Sequence, residues 1–305
     1  DVRGVSIEGV ADEPVTLNAE AANRITSGFL DFLAQKTGKK VKDLRVAVGH
    51  DSRLSAPMLK EAVLEALTYA GVVTVDCGLA STPSMFMSIV FPETKMDGSI
   101  MITASHLPYN RNGLKFFTKD GGVEHEDVIA ILEAAARNPE VKGDLSKVQK
   151  YNLIDRYCHH LRKKIRAALN MGDTPLKGMH VVVDAGNGAG GFFATQVLGR
   201  LGADTSGSVF LEPDGHFPNH IPNPDHRQAS GAAQAVLSTD RREIWDLGGY
   251  QGVDCIRTRD GLVYAAAWNG SSLKKRTSDL VRTDGGNAAV ILSVEGELTG
   301  FAFDA

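Results

Sequence analysis

The sequence has little of what marks a disulfide-rich, membrane-spanning or nucleic-acid-binding protein. Its three cysteines, Cys77, Cys158 and Cys255, are odd in number and far apart, which argues against a disulfide framework and favours a reducing compartment. No apolar run approaches the ~18 residues that a transmembrane helix needs. The net charge of −4 gives no reason to expect nucleic acid or an anionic membrane as a partner. Because the first residues carry no signal- or transit-peptide pattern, we expect a cytoplasmic protein unless a leader has been removed.

What is present is an alternation of apolar strands and amphipathic helices. Residues 44–48, 72–75 and 99–103 have the composition of buried strands, and a helical apolar spacing follows Ser55, a candidate N-cap. A further amphipathic helix is predicted over residues 125–137. The order strand, glycine-rich turn, helix, strand returns after residue 179, which predicts two α/β units joined near residue 150. After residue 238 the pattern weakens, and only AAVILSVEG, residues 288–296, reads as a strand.

A serine stands where the strand at 99–103 runs out into a loop. The sequence there is TASHLPYNRNGLKFF, residues 103–117, with Ser105 and His106 next to each other and Lys115 ten residues after Ser105. A serine hydroxyl is a weak nucleophile without a base or positive charge nearby. The imidazole of His106 can accept or donate a proton and Lys115 is a cationic donor, so the loop has the components of phosphoryl transfer.

This loop resembles the active-site serine loop of the α-D-phosphohexomutase superfamily, the phosphoglucomutases and phosphomannomutases. DVRG at residues 1–4, VGHDSRLSAP at 48–57, VVVDAGNGAGG at 181–191 and FPNHIPNPD at 217–225 are similar to other segments of these enzymes. The resemblance implies an α/β fold with two similar domains of mixed sheet flanked by helices and a partial third domain. The domains implied are 1–150, 151–262 and 263–305.

The resemblance also assigns roles to residues. It implies that Ser105 is the phosphoserine, with His106, Lys115 and Arg3 as the other catalytic residues. It implies that Arg53 and Asn110 bind substrate or phosphate. The function implied is interconversion of a hexose 1-phosphate and a hexose 6-phosphate through a bisphosphate intermediate, with a hexose 1,6-bisphosphate as activator.

The family's magnesium loop is only partly preserved. Members hold Mg²⁺ with three aspartates and the phosphoserine, and DLGGYQGVDCIR, residues 246–257, lies near the corresponding position. In register, Asp254 matches the middle aspartate, whereas Gly252 and Ile256 replace the other two. Because a hard divalent cation needs oxygen ligands, we expect Ser105 and Asp254 to hold Mg²⁺ only weakly. We therefore expect weak or no turnover.

Three alternatives to an impaired mutase remain open at this point. The first is a catalytically inactive sugar-phosphate-binding relative, the second is a truncated gene product whose reading frame changes near residue 238, and the third is a dinucleotide-binding oxidoreductase. The segment GNGAGG, residues 186–191, also fits the G-x-G-x-x-G pattern of a dinucleotide-binding oxidoreductase. The acidic residue that such a site needs is only loosely matched by Glu212, so the interpretation of GNGAGG as a structural turn is preferred.

Overall fold

A computed structural model describes residues 1–10 and 12–222 and the backbone of four later strands. The first unit contains β1 (Val2–Val5), β2 (Arg45–His50), β3 (Val73–Leu79), β4 (Gly98–Ile102), β5 (Arg111–Thr118), β6 (Gly121–Gly122) and β7 (Gln149–Lys150). Its helices are α1 (Ala19–Thr37), α2 (Ala56–Tyr69), α3 (Thr82–Val90) and α4 (His125–Arg137). Helix α5 (Leu153–Leu169) opens the second unit.

The seven strands of the first unit form one mixed sheet in the order β1-β5-β4-β2-β3-β7, with β6 beside β5. Strand β2 lies parallel to β3 and β4, whereas β5 is antiparallel to both β4 and β1. The carboxyl ends of β2, β3 and β4 therefore meet at one edge, where ligands bind in open α/β sheets. This mixed sheet flanked by helices confirms the predicted α/β fold.

Alternating strand residues feed two separate cores. Val46, Val48, Ile100 and Ile102 face a cluster with α1, α2 and α4. Ala47 and Met101 face a second cluster, which contains Met85 of α3. That second cluster also includes the following residues of the second unit: Leu153, Tyr157, Phe192, Val197 and Leu201. The two units thus share a core on the α3 side of the sheet, which fixes their relative position at the site.

After α5, the second unit is built around short parallel pairings and short helical segments. Two parallel bridges, His180 with Asp204 and Asp184 with Val209, join the segments on either side of the glycine-rich turn. A π-helical segment, Phe193–Leu198, and a 3-10 turn, Gly199–Leu201, lie between them. The helix expected after the turn is therefore shorter and wider than an ordinary α-helix.

The sequence prediction missed most of the strand structure near the C-terminus. A four-stranded antiparallel sheet contains β8 (Gly252–Arg259), β9 (Leu262–Gly270), β10 (Arg276–Thr283) and β11 (Ala288–Glu295), in the order β11-β10-β9-β8. Only β11 was expected. The dipeptide Asp260-Gly261 between β8 and β9 is a strong hairpin signal in sequence, and it was overlooked.

Across the described helices, none combines the length and apolarity required to cross a bilayer. The predicted domain boundaries at 150 and 262, and the third domain, remain predictions. Residues 223–251 and 296–305 lie outside the described part of the chain.

Candidate active site

Ser105 is the first exposed residue beyond β4. All five residues of β4 are buried, and so are Thr103 and Ala104. Ser105 adopts a left-handed backbone conformation with φ of 56°, which is uncommon for a residue other than glycine. Its N–H donates to Thr103 Oγ1 at 3.0 Å, and this bond ties the turn to the strand end. The hydroxyl of Ser105 is thereby presented at the sheet edge by a rigid scaffold.

The end of β2 supports this turn through Asp51. Thr103 Oγ1 donates to Asp51 Oδ2 at 2.6 Å, and the N–H of Asp51 donates to the carbonyl of Ile102 at 3.1 Å. Because the Thr103 hydrogen goes to the carboxylate, its oxygen is left to accept the Ser105 N–H. A relay from Asp51 through Thr103 therefore fixes the backbone of Ser105.

Arg53 lies beneath the serine loop and is only 1% exposed. Its Nε lies 3.3 Å from Asp51 Oδ2, and its terminal nitrogens donate to four backbone carbonyls of the loop. The acceptors are the carbonyl oxygens of Ser105, Leu107, Pro108 and Arg111, at 2.9, 2.6, 2.6 and 2.9 Å. Burial lowers the pKa of the Arg53 guanidinium, and the Asp51 carboxylate opposes that shift. The phosphate-binding role expected of Arg53 remains a prediction, since its terminal N–H groups point into the loop.

His106 lies close enough to exchange a proton with the serine. Its Nδ1 is 3.3 Å from Ser105 Oγ, and both side chains are exposed. The contact is long for a hydrogen bond to a hydroxyl. His106 is thus available both to the serine and to a ligand.

Arg3 and Lys115 lie on the same face of the sheet as Thr103. Arg3 pairs with Gly113 across β1 and β5, and Lys115 pairs with Met101 across β5 and β4. Directly opposed residues of a ladder point to one face, and the N–H of Thr103 donates to the Gly113 carbonyl at 2.9 Å. The register thus places both cations on the face that carries the serine loop.

The two cations also interact electrostatically. Arg3 Nε and Lys115 Nζ lie 2.9 Å and 3.2 Å from the same carboxylate oxygen of Asp1. Burial, and then the positive charge of Arg3, lower the pKa of Lys115. A lysine with a lowered pKa is better suited to take up and release protons than an ordinary surface lysine.

Asn110 is buried and hydrogen-bonded to other residues of the first unit. It is 1% exposed, and its side-chain Nδ2 donates to Glu13 Oε2 at 2.9 Å. Its carbonyl accepts the N–H groups of Ser6 and Ile7 at 2.8 and 3.2 Å. Asn110 thus fastens the far end of the serine loop to the segment after β1, and the substrate-binding role expected of it remains a prediction.

The second unit supplies the opposite wall of a cleft of about 570 Å³. Asp51, Thr103 and Ser105 line one side, and Asp184, Gly186 and His220 line the other. A cavity of this size fits a small ligand such as a sugar phosphate. Ser105 therefore faces a pocket built by both units.

Asp184 and His220 form a pair that the sequence prediction missed. His220 Nε2 lies 3.1 and 3.2 Å from the two carboxylate oxygens of Asp184, and its Nδ1 lies 3.0 Å from the carbonyl of Ile221. Burial opposes the charged ring, yet the Ile221 carbonyl and Asp184 raise the pKa of His220 above its usual value. The motif around His220 was recognised, but nothing in it points to a partner 36 residues away.

The glycine-rich turn directs its polar groups inward. The N–H of Gly186 donates to Asp184 Oδ1 at 2.9 Å, and those of Asn187 and Gly188 donate to the carbonyls of Phe210 and Ala185 at 2.9 and 2.8 Å. These amides are occupied by the protein, whereas a dinucleotide-binding turn offers its amides to phosphate. The geometry favours the interpretation of this segment as a structural turn.

The metal prediction rests mainly on residues without a described side chain. Asp254 lies within β8, where the pairing with β9 shifts register, and its side chain is outside the described residues. Within the described ranges, no three His, Cys, Asp or Glu side chains come together as a metal-binding group. The described residues thus do not by themselves form a magnesium site. Ser105 and Asp254 remain its predicted ligands.

Comparison with protein families matches two successive domains. Residues 1–142 match the family model described as "Phosphoglucomutase/phosphomannomutase, alpha/beta/alpha domain I", and residues 155–248 match domain II of the same family. A "Phosphomannomutase/phosphoglucomutase" of Pseudomonas syringae is 34% identical over 225 residues, which are 73% of this chain and 44% of that protein. A "Phosphoglucomutase" of Neisseria gonorrhoeae is 32% identical over 203 residues, 66% of this chain and 41% of that protein. The chain thus spans about half the length of these relatives.

Solved structures show the same fold. A phosphoglucomutase/phosphomannomutase family protein from Burkholderia thailandensis aligns with 94% of this chain and 54% of its own length, at a TM-score of 0.60 and 24% identity. A structure described as a phosphomannomutase from Thermus thermophilus aligns with 73% of this chain and 47% of its own length, at a TM-score of 0.57 and 23% identity. At these identities the likeness supports the fold alone.

Proposed function

Because this chain belongs to the phosphoglucomutase/phosphomannomutase family, of which it carries domains I and II, we propose that it is a phosphohexomutase unit whose phosphoryl carrier is Ser105. The observation that carries the proposal is the placement of one exposed serine at the mouth of the cleft. Its backbone is fixed by Thr103 and Arg53, and His106 Nδ1 lies 3.3 Å from its hydroxyl. Phosphoryl transfer depends mostly on such positioning and on charge stabilisation.

The proposed chemistry begins with phosphorylated Ser105. The bond between Oγ and phosphorus breaks while a hydroxyl of a hexose monophosphate forms a new bond to phosphorus, which gives a hexose bisphosphate. The hydroxyl proton passes to a base, and the lowered pKa of Lys115 supports that assignment. When the bisphosphate has turned over in the cleft, its other phosphoryl group returns to Ser105 Oγ and the isomeric monophosphate leaves. His106 gives a proton to Ser105 Oγ as that oxygen leaves phosphorus and takes it back when the phosphoryl group returns, while Lys115 gives its proton to the sugar oxygen that leaves in the second step.

Arg3 supplies positive charge in this scheme. It lies on the sheet face of Lys115, and its charge contributes to the lowered pKa of that lysine. Cations beside the moving phosphoryl group stabilise the charge on its oxygens. Since the described residues do not assemble a magnesium site, no step here runs through the ion. We expect phosphoryl exchange at Ser105 to exceed net mutase turnover, since Gly252 and Ile256 stand where the family has aspartates.

The test is phosphorylation of the protein by a labelled hexose 1,6-bisphosphate, with and without excess Mg²⁺. We expect label on the peptide that contains Ser105, none in Ser105→Ala, and unchanged labelling in Ser146→Ala, which alters an exposed serine of the same unit. Faster labelling with Mg²⁺ would support the metal prediction. Label on another residue, or equal labelling of Ser105→Ala, contradicts the proposal.

A sugar-phosphate-binding relative without activity is the second candidate, favoured by the two missing aspartates. Calorimetry with glucose 1-phosphate and mannose 1-phosphate separates the two functions. Binding without label on Ser105 supports the inactive relative, and the absence of both binding and label rejects both functions.

A further inference from the structure

Residues 214–222 of the second unit, named the strap here, lie against the part of the first unit that supports the serine loop. Gly215 is in close contact with the backbone after β2, because a Cβ there would come within 2.5 Å of the Ser52 carbonyl oxygen and 2.6 Å of the Leu54 nitrogen. The ring of Phe217 lies over the guanidinium of Arg53, with 5.3 Å between the ring centroid and Cζ. The strap thus covers Arg53 from the side of the second unit.

Phe217 is held in an unfavourable backbone conformation to make this contact. Its φ is 50°, in the left-handed region that bulky residues avoid. A strained backbone persists only where the surroundings determine it, and such strain is concentrated at functional sites. The contact with Arg53 is a cation–π interaction on a buried guanidinium, where such interactions are strongest.

The strap is fastened to the glycine-rich turn by His220. Both ring nitrogens face acceptors only, since Nε2 lies beside the Asp184 carboxylate and Nδ1 beside the Ile221 carbonyl. A neutral imidazole has one N–H and would leave one of these acceptors facing a lone pair, so only the imidazolium satisfies both. Beside these acceptors, the ring of Phe210 lies 5.7 Å from the His220 ring, and Gly186 is so close that an added Cβ would lie 2.9 Å from His220 Cε1.

We infer that the strap positions the catalytic loop from the second unit, with Phe217 and His220 as positioning residues that act on Ser105 through Arg53. The inference rests on the proposed function of Ser105. Arg53 donates to four carbonyls of the loop, so a shift of its guanidinium moves the serine backbone directly. The ion pair between His220 and Asp184 therefore holds the strap against the glycine-rich turn in a pH-dependent way, and the strap in turn holds Arg53 and the serine loop.

The direction of the pH effect follows from the pairing. The pair is intact while His220 is protonated and is lost as the pH rises through its raised pKa. The groups that face the ring are Asp184 from the turn and the Ile221 carbonyl from the strap, and across the cleft the carboxylate of Asp51 lines the same pocket. We expect the loop to loosen, and exchange at Ser105 to slow, on the alkaline side of that pKa.

The first measurement is amide hydrogen exchange of the serine loop in the full chain, which needs no substrate. The amides of Ser105, Leu107 and Arg111 are hydrogen-bonded within the loop region and report its order. We expect Phe217→Leu and His220→Gln to raise their exchange rates about tenfold or more, as local opening becomes easier. The matched control is His159→Gln, which alters an exposed histidine of α5 outside the strap and should change nothing.

The second measurement is the rate of Ser105 labelling as a function of pH. Both variants should label about tenfold more slowly, because small displacements of a reacting atom cost this much or more. Both should also lose the alkaline decline expected for the unaltered chain, and the double variant should be no slower than either single one. If the two changes acted only by lowering the stability of the fold, their effects would add, and the double variant would label more slowly than either single variant.

The outcomes separate this inference from the function on which it rests. If amide hydrogen exchange of the serine loop is unchanged in both variants, the positioning role of the strap is rejected, whatever the labelling shows. If the variants raise amide exchange of the serine loop but the unaltered chain carries no label on Ser105, the positioning role of the strap is supported and the phosphoryl-carrier role of Ser105 is rejected. Raised exchange spread evenly over α1 and α4 as well would show general unfolding and also overturns the inference.

Discussion

Thr103 donates its hydroxyl hydrogen to Asp51 at 2.6 Å and thereby connects the carboxyl ends of two neighbouring parallel strands. Because that hydrogen is used, the Thr103 oxygen can only accept, and the donor it meets is the Ser105 N–H. The direction of the bonds is set by the carboxylate, which cannot donate when ionised. The orientation of the candidate nucleophile is thus determined two residues before it.

Thr103→Val should slow labelling of Ser105 as well as destabilise the fold. Valine keeps the shape but leaves the Ser105 N–H and Asp51 without their partner, at a cost of about 1–3 kcal/mol. The labelling rate should fall at least about tenfold, since the left-handed turn at Ser105 loses its hydrogen bond. Thr103→Ser, which keeps the hydroxyl, is the matched control. Equal rates for the valine and serine variants would show that the relay is unimportant.

Arg53→Met should be among the most destabilising single changes in the first unit. It removes the donor to four carbonyls and leaves the Asp51 carboxylate without its cation. Breaking such a buried charged network costs about 3–5 kcal/mol, measurable by urea unfolding. Arg24→Met is the control, because Arg24 also donates to two carbonyls but from the surface, and should cost about 1 kcal/mol. Similar costs for the two changes would contradict the network.

Arg3→Gln should raise the pKa of Lys115, because the positive charge of Arg3 is one of the two causes that lower it. In the proposed scheme, Lys115 acts as the base when phosphorylated Ser105 transfers its phosphoryl group to a hexose monophosphate, so only its neutral amine is active in that direction, and the rising limb of the pH–rate profile of that transfer should move to higher pH. The pKa can be followed by NMR titration of the lysine side chain. Arg111→Gln removes an arginine of the same strand that pairs with Glu13, and it should leave the limb in place.

Lys115→Arg tests the role of the lysine itself. An arginine keeps the positive charge but cannot deprotonate in this pH range. Loss of labelling in this variant supports proton transfer by Lys115. Labelling at the original rate would show that only its charge matters.

The local sequence pattern was enough to predict the main helices and strands of the first unit. It was not enough to predict the side-chain contacts that hold the candidate site. Helix α4 was predicted with its observed bounds, His125–Arg137, because its apolar spacing and flanking residues agree. The predicted cap Ser55 stands before α2, yet it makes no side-chain cap bond, and its hydroxyl accepts from Asn112 instead. That choice depends on a residue 57 positions away. Capping rules based on neighbouring residues therefore cannot predict this hydrogen bond.

The same limit applies to the site. The sequence placed Ser105 in the loop that follows a buried strand, and Ser105 lies there as the first exposed residue after β4. The direction of the Arg53 guanidinium depends on four carbonyls of a distant loop, and the pairing of His220 depends on two segments that meet only in the folded chain. The resemblance named segments of the site. It did not tell which side chains hold the serine and which are free to meet a ligand.

Gly186→Ala should weaken the second unit and loosen His220 together. Gly186 has φ of 52°, and a Cβ on it would lie 2.9 Å from His220 Cε1. The backbone strain alone costs about 1 kcal/mol, and the ring must also move away from the turn. We expect a lower unfolding midpoint in urea and a lower pKa of His220, since displacement of the ring weakens its contact with Asp184.

The control for this change lies in the same turn. A Cβ on Gly190 would meet its nearest neighbour only at 4.0 Å, and its φ is not in the left-handed region. Gly190→Ala should therefore be neutral or slightly stabilising, because it reduces the freedom of the unfolded chain. NMR titration of the His220 ring in both variants gives the decisive comparison. If Gly186→Ala leaves the pKa of His220 where it is, the ring does not depend on the turn, and the fastening of the strap must be sought elsewhere.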